Sequence, residues 1–340
     1  MNFALERCVV FGSGDMGVQG LHALLSLGLK ACLVVVDSDD ATYGKQSLKV
    51  CAQIQGVRCI TPRDTDYRSR HRFDWSPSKI DSELTKECEP EWIFSFYDNH
   101  SAQGEILRDS GIYHVAKRGG YNVHCSLLPQ FPGRNPTIES VLNGATMTGV
   151  SLYRVGARIY HENTYQVHVV DSEPVSIFPN ETAHAVYGKQ VSVAKELLLR
   201  AVPSILNGSQ VESPLTLPTG NPRYPLAQKE RTINWARPTR AVHNLIRAMA
   251  SPSPGAFTDE LPGGRLVVTG SEWTREPGRG GGLRLSWDGE VCWLEGSQYR
   301  LRLTQLTCRG EALSSESFRK IFGSGPYRLG RGSDFERAVA

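Results

Sequence analysis

Cys8-Val9-Val10-Phe11 is a short, wholly apolar run that stops at Gly12-Ser13-Gly14-Asp15-Met16-Gly17 and gives way to a helical pattern through Leu21, Leu24 and Leu25. A continuous apolar run of this length reads as a strand buried on both faces, and its passage through a glycine turn into a helix is how a covered parallel sheet begins. Gly28 stands just past the expected helix end, where a left-handed residue is often needed. Ala31 to Val36 is a second buried-strand run, and Trp92-Ile93-Phe94-Ser95-Phe96-Tyr97 a later one. The expected fold class is α/β, a parallel sheet with helices on both faces.

Further along, residues 62–90 are polar and read as a loop plus a surface helix. Tyr121-Asn122-Val123-His124 is another strand end, followed by a loop punctuated by proline and glycine as far as Pro136, which suits a helix start. Residues 148–155 and 164–171 read as two strands joined by a turn, and 181–206 as the clearest helix. From 207 the texture turns to proline, glycine and polar residues. A helix across Ala241 to Met249 then precedes glycine-rich, strand-like sequence. The expected organisation is an α/β domain over 1–206, a linker and helix over 207–257, and a small open-barrel-like β domain over 258–340. Trp273, Trp287 and Trp293 are expected in its core, and Arg275 to Gly282 as a loop. His22, His184 and His243 are expected as packed or solvated helix residues.

Charge separates classes of partner. The 340 residues carry 38 Lys and Arg against 35 Asp and Glu, a net charge of +3, and residues 258–340 carry 12 against 11. A surface built for nucleic acid needs a clustered basic excess, so no nucleic-acid partner is expected. No apolar run approaches the roughly 20 residues of a membrane span. Glu6 and Arg7 stand where a signal peptide would be apolar, so a cytoplasmic protein is expected. The eight cysteines form no C-x-x-C pair and are expected as reduced, packed thiols, with no metal site.

Two clusters could carry chemistry. Gly12-x-Gly14-x-x-Gly17, with Asp37 twenty residues on, fits a dinucleotide fingerprint and hence an NAD(P)-dependent oxidoreductase, but it also fits the tight turn of any first strand and helix. Asn122 and His124, two apart on a strand, share a face. An amide donor beside an imidazole suits a carbonyl whose oxygen gains charge. The attached Leu127-Leu128-Pro129-x-x-x-Gly133 loop makes this second cluster far more specific than an isolated N-x-H.

Through Ile93 to Tyr97, Asn122 to Pro136, Thr148-Gly149-Val150, Ile233-Asn234-Trp235, Asn244 to Ala248 and Pro252 to Phe257, the chain resembles the methionyl-tRNA formyltransferase family. The likeness covers roughly residues 5–310 and is strongest to the sugar-nucleotide branch, such as the UDP-4-amino-4-deoxy-L-arabinose formyltransferase. The resemblance implies a Rossmann-like formyl-transfer domain and a C-terminal β subdomain. It implies formyl transfer from 10-formyltetrahydrofolate, a folate of one-carbon metabolism, to the amine of a small biosynthetic substrate, an amino sugar nucleotide among the candidates. By the same resemblance Asn122 and His124 are catalytic. Phe96, Tyr97, Leu127, Leu128, Pro129 and Gly133 line the folate site, and Arg134 touches substrate. The nicotinamide reading of Gly12, Gly14 and Gly17 recedes accordingly, and a homodimer stays open.

Two positions depart from the family. Its third catalytic residue, an Asp thirty-eight positions after the Asn, is Tyr160 here, and the His of the preceding strand is Tyr153. A phenol of ordinary pKa about 10 does not replace a carboxylate base at neutral pH. Three readings stand. Glu162 or His161 takes the vacated place, the reaction is a modified one-carbon transfer, or the chain is a non-catalytic binding member.

Overall fold

Both faces of β1 (Arg7–Gly12) are covered, as its apolar run requires. Cys8 and Val10 enter one cluster with Val34, Phe94, Tyr121 and Val123, while Val9 and Phe11 enter another with Leu33, Val35 and Ile93. The structure is a computed structural model that describes residues 6–36, 46–60, 88–96, 115–133, 135–155, 164–218, 228–278, 283–296, 298–323, 325 and 327–329. Its elements continue with α1 (Gly14–Ser26), β2 (Lys30–Val36), α2 (Leu48–Ile54), β3 (Cys59–Ile60), β4 (Trp92–Phe96) and β5 (Gly119–His124). Then come α3 (Pro136–Leu142), β6 (Met147–Val155), β7 (Thr164–Ser176), α4 (Ala183–Asn207) and β8 (Ser213–Pro218).

These strands form one sheet in the order β3-β2-β1-β4-β5-β6-β7-β8. The pairs from β3 through β5 are parallel, and β5–β6 and β7–β8 are antiparallel. The chain order reverses between β1 and β4, so the carboxyl ends of β1, β4 and β5 face the crevice where open α/β sheets hold ligands. The Gly12, Gly14 and Gly17 spacing has a packing explanation here. Gly14 has φ +53°, a Cβ on Gly17 would sit 2.7 Å from Leu48 Cδ2, and one on Gly12 would lie 3.2 Å from Gly17 Cα and from the Phe96 carbonyl. The turn is glycine-rich because helix, strand and α2 meet there.

Contacts divide the chain into two compact units. The first comprises Met1–Pro136, Thr148–Val175 and Tyr187–Tyr224, and the second Thr137–Met147, Ser176–Val186 and Pro225–Ala340. In the second unit a 3₁₀ turn (Gln228–Arg231) and α5 (Thr239–Ala248) precede β9 (Ala256–Thr258), β10 (Leu266–Pro277), β11 (Arg284–Asp288), β12 (Val291–Glu295), β13 (Tyr299–Cys308), β14 (Glu311–Ala312), α6 (Ser315–Phe322) and β15 (Tyr327–Arg328). Their pairings are antiparallel, in the order β15-β11-β12-β13-β10-β9 with β14 on β13. The loop expected from Arg275 is strand as far as Pro277. A bulge carrying Arg275 at φ +61° keeps β10 paired, and Glu276 accepts a 2.6 Å hydrogen bond from Arg300 Nε. Trp273 and Trp287 pack half-buried against the β-domain core as expected, whereas Trp293 is buried outside that cluster, with the Arg300 guanidinium carbon 3.7 Å from its ring centroid.

Candidate active site

Alternation along β5 creates the site. Tyr121 and Val123 are buried in the core shared with α1 and α4, which turns Asn122 and His124 to the opposite face, half-buried at the carboxyl end of the strand. Register on β6 places Tyr153 opposite Asn122 and Ser151 opposite His124. Asn122 Nδ2 donates to the Tyr153 hydroxyl at 2.8 Å. His124 Nε2 lies 2.9 Å from the Phe131 carbonyl. A carbonyl only accepts, so Nε2 carries the proton and Nδ1 is the basic nitrogen of the neutral ring.

The loop after β5 is fastened beneath this pair. Ser126 Oγ donates to the Gln130 carbonyl at 2.6 Å, and the Gln130 amide to the Leu127 carbonyl at 2.8 Å. Phe131 adopts φ +48°, and the Leu128-Pro129 bond is cis. Ser151 Oγ donates to the Ser126 carbonyl at 2.7 Å while accepting from the Leu128 amide at 3.1 Å and from Ser172 Oγ at 3.0 Å. From α4, the fully buried Gln190 donates to the carbonyls of Cys125 at 2.8 Å and Gly149 at 2.9 Å. Gly149 has to be glycine, because a Cβ there would lie 2.4 Å from the Glu173 carbonyl and 2.5 Å from Leu127 Cδ2. A strand-borne amide and imidazole next to a pinned loop suit stabilisation of a carbonyl oxygen and movement of one proton.

Comparison with known proteins identifies the chain. The family model for formyl transferase matches residues 6–202, and the model for the formyl transferase C-terminal domain matches residues 225–318. The chain belongs to the formyl transferase family. Among solved structures, it is similar to WlaRD, a sugar 3N-formyl transferase solved in the presence of dTDP and 5-N-formyl-THF. That match has 17% identity and a TM-score of 0.60, covering 92% of this chain and 98% of the other. It is also similar to the N-formyltransferase from Helicobacter canadensis in complex with folinic acid and dTDP-3-aminofucose, at 17% identity and a TM-score of 0.59, covering 88% and 99%. A 4-N formyltransferase from Francisella tularensis matches at 15% identity and a TM-score of 0.55, covering 78% and 97%.

In this formyltransferase the residues singled out from sequence fall into three groups. Asn122, His124, Leu127, Leu128, Pro129 and Gly133 come together at the end of β5. Leu128 packs half-buried against a small cluster of Tyr153, Val167 and Leu217; Pro129 is exposed, and a Cβ on Gly133 would meet open space. Phe96 stands apart. Its ring is fully buried on the α1 side, stacked on Phe94 at 6.3 Å, so the side chain expected at the folate belongs to the core. The β4 side chain on the Asn122 face is Ser95, in register with Asn122. Tyr97, Arg134, Tyr160, His161, Glu162 and Asp37 lie outside the described residues. Sequence reading missed Ser151, Ser172 and Gln190. Two-residue alternation along β6 would have put Ser151 and Tyr153 on the site face, but Gln190 reaches the loop from 65 residues away in sequence and leaves no local signal.

Proposed function

We propose that this formyltransferase moves a formyl group from 10-formyltetrahydrofolate to the primary amine of a nucleotide-linked amino sugar. The observation that carries this reading is the shared face of Asn122 and His124 at the carboxyl end of β5, directly above the pinned Leu127–Gly133 loop. The amide and imidazole are the groups a formyl donor requires, and the backbone of the loop beside them is held by Ser151 and Gln190. Sugar N-formyltransferases with dTDP ligands and formyl-folates among the structural relatives support the same acceptor class.

In this mechanism the substrate amine attacks the formyl carbon, forming a new C–N bond, and the bond from that carbon to the folate nitrogen breaks. Asn122 donates to the formyl oxygen as it gains negative charge, which is worth on the order of 10²–10³ in rate for one donor. His124 Nδ1 takes the proton from the attacking amine, a general-base contribution of about 10²–10⁴. The proton then passes to the departing folate nitrogen, which leaves tetrahydrofolate and the N-formyl sugar. Glu162 supplies the carboxylate that the family's Asp provides, since a phenol of ordinary pKa about 10 at position 160 is no base at neutral pH. By the resemblance to the family, Arg134 is assigned to the substrate and Tyr97 to the folate.

The reading is tested with 10-formyltetrahydrofolate and a panel of dTDP- and UDP-linked amino sugars, scored by mass spectrometry of the sugar and by tetrahydrofolate release. One N-formyl sugar per tetrahydrofolate is expected with at least one acceptor. Donor binding without transfer to any of them would contradict the acceptor class. Glu162→Gln should slow transfer by on the order of 10² or more while Tyr160→Phe changes it little. Equal, small effects would remove Glu162 from the mechanism.

A further inference from the structure

The side chains of Ser95, Asn122 and Tyr153 form a row across β4, β5 and β6, set by the registers Ser95↔Asn122 and Asn122↔Tyr153. The middle member is the proposed oxyanion donor, and the two flanks differ. Among the described residues the fully buried Ser95 hydroxyl has no hydrogen-bond partner, whereas Tyr153 receives the Asn122 amide at 2.8 Å. The amide is therefore turned toward β6. Tyr153 is only 3% exposed and packs with Val167, Leu217 and Leu128. Its phenol oxygen is thus a fixed acceptor in apolar surroundings, where a hydrogen bond is stronger than in water.

A carboxamide nitrogen carries two hydrogens. With one held by Tyr153, the amide plane is fixed and the other hydrogen keeps one direction. Without that acceptor the amide would rotate about its last torsion, a broad and weakly restrained one. We propose that Tyr153 is the positioning residue that orients the Asn122 amide for formyl transfer. The proposal rests on the reading of Asn122 and His124 as the transfer site. Tyr153 touches neither donor nor acceptor in this role, and its whole effect passes through Asn122. It also gives the tyrosine on β6 a use, where the resemblance to the family leads one to expect histidine.

A double-mutant cycle separates this role from simple packing. Single-turnover rates and KM are measured for the wild type, Tyr153→Phe, Asn122→Ala and the double variant, with Tyr121→Phe as control. Tyr121 is a buried phenol on the same strand as Asn122 but on the opposite face. Tyr153→Phe is expected to lower kcat by about 10-fold to 100-fold, the scale of a misplaced catalytic group, with KM for both substrates unchanged. Tyr121→Phe is expected to leave kcat as it was. In the Asn122→Ala background, Tyr153→Phe should produce no further loss, because its effect has nothing left to act on. Fully additive losses, or a Tyr153→Phe defect seen in KM and thermal stability alone, would overturn the positioning role while leaving the transfer reading intact. A wild type that transfers no formyl group, or an Asn122→Ala variant as fast as wild type, would overturn the transfer reading and the proposal with it.

Discussion

Ser151 ties the site together with one hydroxyl, which accepts from Leu128 N–H and Ser172 Oγ and donates to the Ser126 carbonyl. Ser151→Ala strands these buried partners, so a loss of about 1–3 kcal/mol is expected in denaturant unfolding. An unchanged midpoint would mean that the loop does not depend on this hydroxyl. His243 gives a second residue-scale prediction. The fully buried ring lies 2.9 Å from Ser271 Oγ through Nδ1 and 2.8 Å from the Pro179 carbonyl through Nε2. Burial pushes its pKa down from 6.5 to about 4, against the opposing hydrogen bond to Pro179 and with help from Arg247 and Arg240. Above pH 6.5 the ring is neutral in both the folded and unfolded protein and contributes no pH dependence. Between about 6.5 and about 4 only the unfolded chain takes up the proton, so stability falls with pH, by roughly 3 kcal/mol across that window. Urea unfolding at pH 7 and pH 4.5 for wild type and His243→Gln checks this. The variant should lose this part of the pH slope, and identical slopes would refute the assignment.

At the scale of elements, α1 lies so close to the sheet that its glycines are structural. A Cβ on Gly20 would come within 2.5 Å of the fully buried Phe96 ring. Gly20→Ala is therefore expected to destabilise by about 1–3 kcal/mol, as overpacking does. Gly188, exposed on α4 with nothing near its missing Cβ, predicts the opposite sign: Gly188→Ala should stabilise by about 0.5–1 kcal/mol. Thermal melts of the two variants must move in opposite directions for this packing account to stand. β1, β2 and β4 were legible in the sequence because each is a nearly continuous apolar run between turn residues, whereas the two-residue β3 gave no such signal. Phe96 was misplaced for a related reason. In Ile93-Phe94-Ser95-Phe96 an apolar run conceals which residues face which side, and only the pairing of β4 with β1 and β5 shows that Ser95 shares the face of Asn122. The glycine pattern at Gly12, Gly14 and Gly17 looked the same whether it served a phosphate or a helix, and the atoms around the missing Cβ positions favour the helix.

For the whole molecule, contacts distant in sequence decide what composition could not. Buried Arg247 on α5 donates to Asn244 Oδ1 at 3.0 Å and to the carbonyls of Glu181 at 3.0 Å and Val141 at 3.3 Å, gathering segments 137–147 and 176–186 into the second unit. Desolvation pushes its guanidinium pKa down to about 10. No local pattern announces such a residue, since its partners lie up to 106 positions away. The eight cysteines are free, as their scattered spacing led one to expect. Among the described residues no helix is long and apolar enough to cross a membrane. The asparagine, the histidine and the loop of the candidate site were readable because they are contiguous, whereas the groups that hold them come from β6, β7 and α4. The most direct measurement is the single-turnover rate of ¹³C-formyl transfer from 10-formyltetrahydrofolate to an amino sugar nucleotide, in wild type and in His124→Ala. Labelled N-formyl sugar is expected from the wild type, with a loss of about 10²–10⁴ in rate in the variant. Equal rates in the two proteins would contradict the role of His124 as base.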